Sequence, residues 1–96
     1  MREVTSRQEF EDAIQGCVVV DFYADWCGPC KQMEPALQKA SAEIVKVNVD
    51  ELPGLAQEYG IRSVPTLMAF TGGEALSHTV GSASKSDIES LYQSCA

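Results

Sequence analysis

The sequence predicts an α/β fold, a mixed central β-sheet with helices on both faces. Three observations carry this. Strand-like and helix-like segments alternate along the chain. Helical segments separate the early strands, and such crossovers impose parallel pairing. Toward the C-terminal end, Gly72-Gly73 sits between two strand-like runs, the mark of an antiparallel hairpin. At 96 residues the chain is expected to form a single domain over 1–96.

Val4 and its neighbours add a short first strand. Ser6-Arg-Gln-Glu9 is a capping box, and Phe10, Ala13, Ile14 and Cys17 follow at helical spacing, so a first helix is expected over about 7–15. Val18–Tyr23 is β-branched and aromatic, with apolar residues on both faces, as a central strand covered on both sides requires. After Ala-Asp-Trp-Cys-Gly-Pro-Cys, the stretch Lys31–Ala42 continues a helix with Cys30, Met33, Leu37 and Ala40 on one side. Pro29 suits its first turn, and Pro35 removes one hydrogen bond inside it and should kink it.

Ile44–Val49 is the next strand. Leu52, Leu55, Ala56 and Tyr59 mark a short helix closed by Gly60. Thr66–Thr71 and Glu74–Val80 form the hairpin strands. Ser84 and Asp87 cap a last helix with Ile88, Leu91, Tyr92 and Cys95 on its inner face.

Composition narrows the function. Seven basic residues against fourteen acidic ones give a net charge of −7, and the basic residues are scattered, so nucleic acid is discounted as a partner. No apolar run exceeds four residues, far short of the roughly 20 a membrane helix needs. Acidic residues interrupt the first ten positions, where a secretion signal would be apolar.

Four cysteines are the informative count. Cys27 and Cys30 form C-x-x-C, and Cys17 and Cys95 stand alone. Closing so small a loop constrains the unfolded chain little, so the close pair reads as chemistry rather than a staple. The pattern suits a reducing compartment. A zinc or iron–sulfur site needs about four ligands, and only Cys17, Cys95 and His78 remain to supply them, so no metal is expected. Cys17 and Cys95 read as small core residues, with a regulatory or intermolecular disulfide as the alternative. His78 and Arg62 read as surface groups.

C-x-x-C between a strand and a helix is a redox signature. If Cys27 opens the helix, first-turn amides and the positive end of the macrodipole favour its thiolate. Cys30, one turn on, can reach the same sulfur. Cys27 is expected to be exposed and Cys30 more buried. Asp21, an acid within a Val/Phe strand, is costly to bury charged, so its pKa should rise. Asp25 brings a further negative charge close to Trp26 and, if it approaches Cys27, opposes thiolate formation.

Residues 20–31, Val-Asp-Phe-Tyr-Ala-Asp-Trp-Cys-Gly-Pro-Cys-Lys, resemble the active-site segment of the thioredoxin family. Tyr-Gly-Ile-Arg-Ser-Val-Pro-Thr-Leu, residues 59–67, resembles its second signature, and Gly-Gly-Glu at 72–74 and Val-Gly at 80–81 fall where the family has its hairpin turn and a groove glycine. The resemblance covers nearly the whole chain and implies the thioredoxin fold. It implies that Cys27 attacks a target disulfide and Cys30 resolves the mixed disulfide, with Asp21 managing the Cys30 proton and Lys46 beside it. It implies a cis peptide bond before Pro65, a free Val64 backbone for substrate, and a contact surface of Trp26, Gly28, Pro29 and Gly81.

The implied activity is reduction of protein disulfides, with no bound cofactor. Electrons would come from an external reductase, most often NADPH-linked in this family. Disulfide-bearing proteins would be the targets, and the chain would act as a cytoplasmic monomer. Two departures stand out. The stretch from Pro35 to Ile44 is shorter than usual, so the second helix should end early or run almost directly into the strand, and Tyr23 replaces a frequent tryptophan. Two other readings compete: an oxidase or isomerase domain of an export pathway, and a binding subunit that uses the same surface to hold a larger partner.

Overall fold

A computed structural model describes residues 1–96. The elements are β1 (Arg2–Val4), α1 (Arg7–Ala13), β2 (Val18–Tyr23), α2 (Gly28–Lys39), β3 (Ile44–Asn48), α3 (Pro53–Glu58), β4 (Thr66–Thr71), β5 (Glu74–Val80) and α4 (Lys85–Gln93). Their order is the one read from the sequence. The five strands form one sheet in the order β1-β3-β2-β4-β5. β1 and β2 both pair with β3 in parallel, and β2–β4 and β4–β5 pair antiparallel.

The two faces of the sheet explain the doubly apolar β2. Val18, Val20 and Phe22 join Phe10, Ile14, Leu55 and Phe70 in the larger core under α1 and α3. Val19 points the other way and packs with Met33, Leu37, Leu67 and Ile88 beneath α2 and α4. The period of two therefore places Asp21 and Tyr23, like Val19, on the α2 side. On β3 the same alternation sends Val45 and Val47 to the larger core and leaves Lys46 facing α2. In the larger core, Phe10, Phe70 and Tyr59 meet edge to face or tilted, with ring centroids 5.2 to 5.8 Å apart.

Caps and turns follow the sequence with small changes. Ser6 accepts the Glu9 amide at 3.1 Å, which is one half of the capping box. The Glu9 carboxylate reaches past Ser6 to the Thr5 amide instead, at 2.7 Å. α1 ends at Ala13, two residues before the expected boundary. At the other end of the chain, Ser84 and Asp87 make the complete reciprocal box. The hairpin turn needs left-handed backbone at both central residues, and Gly72 and Gly73 supply it with φ of 58° and 83°. Their amides bond to the carbonyls of Gln15 and Ile14 at 2.8 and 2.9 Å, which docks the turn on the end of α1.

The short segment after Pro35 resolves in the first of the two expected ways. α2 is helical through Pro35 and stops at Lys39, and residues 40–43 lead into β3. The Ser41 amide donates to Glu89 on α4 at 2.7 Å, so the link is tied to the neighbouring helix.

Cys17 and Cys95 correct the sequence reading. They are bonded to each other, half-buried, across 78 residues. Cys17 lies just before β2 and Cys95 just after α4. Because α4 packs across β2 and β4, their ends come together, with the two Cα atoms 5.5 Å apart. Helical spacing within each segment carries no sign of this meeting. Ile88 is the one fully buried residue of α4, so the bond adds a covalent tie to a thinly anchored helix. Cys95→Ser should lower the stability of the oxidised protein by about 2–4 kcal/mol, because the bond closes a long loop in the unfolded chain. Urea unfolding should show this difference and should lose it once a strong dithiol reduces both proteins.

Candidate active site

The site forms where β2 ends and α2 begins. Cys27 is the N-cap of α2, with extended backbone, and Pro29 occupies the first turn. Proline is at home there because its missing amide hydrogen has no helical partner to lose. The Cys30 amide donates to the Cys27 sulfur at 3.1 Å. The helix start thus points both an amide and its positive dipole end at this sulfur, as the spacing predicted. Cys27 and Cys30 are bonded to each other, with Cα atoms 5.3 Å apart.

The expected contrast in exposure is not found. Cys27 is 3% exposed and Cys30 4%. Ala24 packs with the pair in one small cluster, and Tyr23, Val49 and Val64 pack against that cluster. What is exposed is the rim: Trp26 at 71%, with Gly28 and Pro29 also exposed. The Trp26 indole donates to Asp50 at 2.9 Å. Its ring borders a shallow pocket of about 110 Å³ with Val49, Ile61, Arg62, Ser63 and Val64.

Two loops complete the rim. The Val64–Pro65 bond is cis, and Pro65 is buried. Neither the amide nor the carbonyl of Val64 is hydrogen-bonded within the chain. The Gly81 amide donates to the Pro65 carbonyl at 2.9 Å, and the Ser82 hydroxyl donates to the Pro29 carbonyl at 3.3 Å. Gly81 has φ of 94°, a left-handed conformation that disfavours any side chain. Trp26, Gly28 and Pro29 thus flank the bonded pair along the chain, Val64 packs against it, and Pro65 and Gly81 are joined to each other by a hydrogen bond.

On the α2 side of the sheet lie the charged groups. Asp21 is fully buried, and neither of its oxygens accepts a hydrogen bond from the protein. Burial pushes its carboxyl pKa up to about 7. Lys46 opposes the rise, and Glu34 and Glu3 add to it. Lys46 is the register neighbour of Asp21 on β3. Its ammonium, however, sits 2.8 and 2.9 Å from the two oxygens of Glu34 and 4.3 Å from the centre of the Tyr23 ring. The Tyr23 hydroxyl donates to Glu3 at 2.7 Å. Burial pushes the Tyr23 phenol up as well. Asp25 is exposed and lines, with Tyr23, Ala24, Cys30, Lys31, Glu34 and Lys46, a cavity of about 220 Å³ beside Cys30.

The sequence reading passed over Glu34, Glu3 and Asp50. Glu34 carried one legible signal: it lies four residues after Cys30, on the same side of the helix. Glu3 and Asp50 reach the site only through strand pairing and loop packing. His78 stands on β5, away from these groups. No three His, Cys, Asp or Glu side chains are gathered as a metal site requires.

The raised pKa of Asp21 makes a stability prediction. In the unfolded chain this carboxyl ionises near pH 4 and in the folded protein near pH 7. Between these values the folded state binds the extra proton, so stability falls as pH rises. Below pH 4 both states are protonated and the penalty is absent. Above pH 7 it is fully present, at roughly 4 kcal/mol. Asp21→Asn should therefore be more stable than the parent at pH 8 by a large part of that amount, and equal to it near pH 4, in urea unfolding of the oxidised proteins.

The geometry has close counterparts. The family model described as Thioredoxin matches residues 2–94. A thioredoxin of Chlamydia trachomatis is 39% identical over 97 aligned positions, covering 95% of each chain. A thioredoxin of Porphyra purpurea is 46% identical over 79 positions, covering 76% of this chain and 74% of its own. Among solved structures, Plasmodium falciparum thioredoxin superposes with a TM-score of 0.88 at 32% identity and full coverage of both chains. A family match over nearly the whole length, together with a bonded C-x-x-C pair at a helix start, identifies this chain as a member of the thioredoxin family and a thiol–disulfide oxidoreductase.

Proposed function

We propose that the chain, acting as a single domain, reduces protein disulfides with Cys27 as the nucleophile and Cys30 as the resolving thiol. The observation that carries this assignment is the Cys30 amide on the Cys27 sulfur at the start of α2. It stabilises negative charge on one sulfur of the pair and not on the other. The Cys27 thiolate attacks a target disulfide, breaking that bond and releasing one target thiolate, which takes up a proton. A mixed disulfide joins Cys27 to the target. Cys30 then gives its proton to Asp21 and attacks the Cys27 sulfur. The second target sulfur leaves as a thiolate and takes up a proton, which completes the target dithiol, and the Cys27–Cys30 disulfide remains. An external reductase returns two electrons to that disulfide, so no bound cofactor takes part.

The residues around the pair suit these steps. An Asp21 carboxyl with a pKa of about 7 can both accept and return a proton at neutral pH. The unpaired Val64 backbone is available to an extended target segment, which would add to it as a strand adds to a sheet edge. Trp26, Gly28, Pro29, Pro65 and Gly81 offer the surrounding contact surface. Thioredoxin reductase and disulfide-bearing proteins are the partner classes of the family. For this chain we propose an NADPH-linked reductase as electron source, a cytoplasmic setting and a monomeric state. No helix is long and apolar enough to cross a membrane.

Two experiments test the reading. Titration of the Cys27–Cys30 pair in a Cys17→Ser, Cys95→Ser background, followed by Trp26 fluorescence, should give one two-electron transition near about −270 mV, a value taken over from thioredoxin itself. A transition above about −200 mV would place the chain with isomerases and oxidants instead. Cys27→Ser should abolish disulfide reduction, whereas Cys30→Ser should accumulate the mixed disulfide with a target, visible by mass spectrometry. If a Cys27→Ser, Cys30→Ser double variant keeps a tight complex with a partner and all biological effect, the binding-subunit reading replaces this one.

A further inference from the structure

The charged groups under the site form a row across the sheet. Glu3 on β1, Lys46 on β3 and Asp21 on β2 are successive register neighbours. A third acid, Glu34, comes down onto Lys46 from α2. Lys46 thus stands between acids and must choose among them. It takes Glu34, with both carboxylate oxygens within 2.9 Å, and it rests on the Tyr23 ring. Tyr23 is itself held by both oxygens of Glu3. The Lys46 side chain is 15% exposed and Glu34 33%, so solvent screens this two-point pair less than a surface pair. Asp21 is left without a partner.

We infer that Glu34 is a positioning residue for the resolving step: by clamping the Lys46 ammonium it keeps that cation from pairing with Asp21, and so sets the pH range in which Asp21 takes the Cys30 proton. The inference rests on Asp21 acting as the base for Cys30. Glu34 works in two ways of the same sign. It withholds a cation that would favour ionised Asp21, and its own negative charge disfavours a second one nearby. The other charged groups that act on Asp21 are Lys46 and Glu3 from the sheet, and Tyr23 lies two residues on along the same face of β2. Asp25 and Lys31 stand at the rim of the cavity beside Cys30.

The test follows the Asp21 carboxyl carbon by NMR across pH in the full-length oxidised protein. In Glu34→Gln, which keeps the size and removes the charge, the midpoint should fall by about half a unit or more. In Lys46→Met it should rise, and this opposite shift guards against a general loosening of α2. An unchanged or higher midpoint in Glu34→Gln overturns the inference about Glu34 alone. The second readout is the rate of mixed-disulfide resolution against pH. Its acid limb should move to lower pH in Glu34→Gln and should not respond to that change in an Asp21→Asn background. A carboxyl midpoint that moves while the acid limb stays overturns the reading of Asp21 as the base, and with it the role of Glu34 in the reaction.

Discussion

Everything in this protein hangs on a central strand that must be covered on both faces. β2 lies between β3 and β4, and its residues alternate between two apolar cores. Its N-terminal end is occupied by the docking of α4 and the Cys17–Cys95 bond. Its C-terminal end is where the chain must leave the sheet and start α2. A helix start has unpaired amides to offer, and here they meet a cysteine rather than the usual hydroxyl or carboxylate cap. The reactive group and the helix cap are therefore the same side chain. Thiolate stabilisation comes from an amide that any helix leaves unpaired at this point.

The second consequence of that covered strand is electrostatic. An acid at position 21 has to face one of the two cores, and the period of two sends it toward α2. With no hydrogen bond to offset its burial, it holds its proton into the neutral range. Lys46 is close enough in register to compensate it, yet its charge is spent on Glu34 and the Tyr23 ring. The fold thus keeps one buried carboxyl without a hydrogen bond and only partly offset by Lys46, at a cost to stability. Pairing Asp21 with Lys46 would have lowered the carboxyl pKa and relieved that cost.

The rim of the site follows a different logic. It is assembled from the start of α2 at Pro29 and from two loops, at Pro65 and Gly81, stitched by the Gly81–Pro65 and Ser82–Pro29 hydrogen bonds. Those bonds use groups from the loops and the helix start and leave the Val64 backbone unpaired. An exposed tryptophan among them is an unusual surface group, and its indole is held by Asp50 rather than left free. The sulfurs are buried beneath this rim, which is why a cysteine expected to be exposed is not.

Local signals were enough for most of the fold. Helical spacing found the helices, and β-branched or aromatic runs with the Gly72-Gly73 turn found the strands, because these signals lie within one element or one turn. The Ser84 box, the Gly72-Gly73 turn and the Cys27 cap were legible because their partners lie within three residues. The raised pKa of Asp21 was legible too, since an acid inside a covered strand has nowhere to go. Tertiary structure alone decided three things. It joined Cys17 to Cys95, because α4 crosses the sheet and brings together residues that share no local pattern. It gave Lys46 to Glu34 rather than to Asp21, because the distance from a strand to the helix above it depends on packing and not on spacing. It buried both sulfurs, because Val49 and Val64 arrive from other parts of the chain. Contacts within one element are written in the order of the residues; contacts between elements exist only once the sheet order and the helix positions are set.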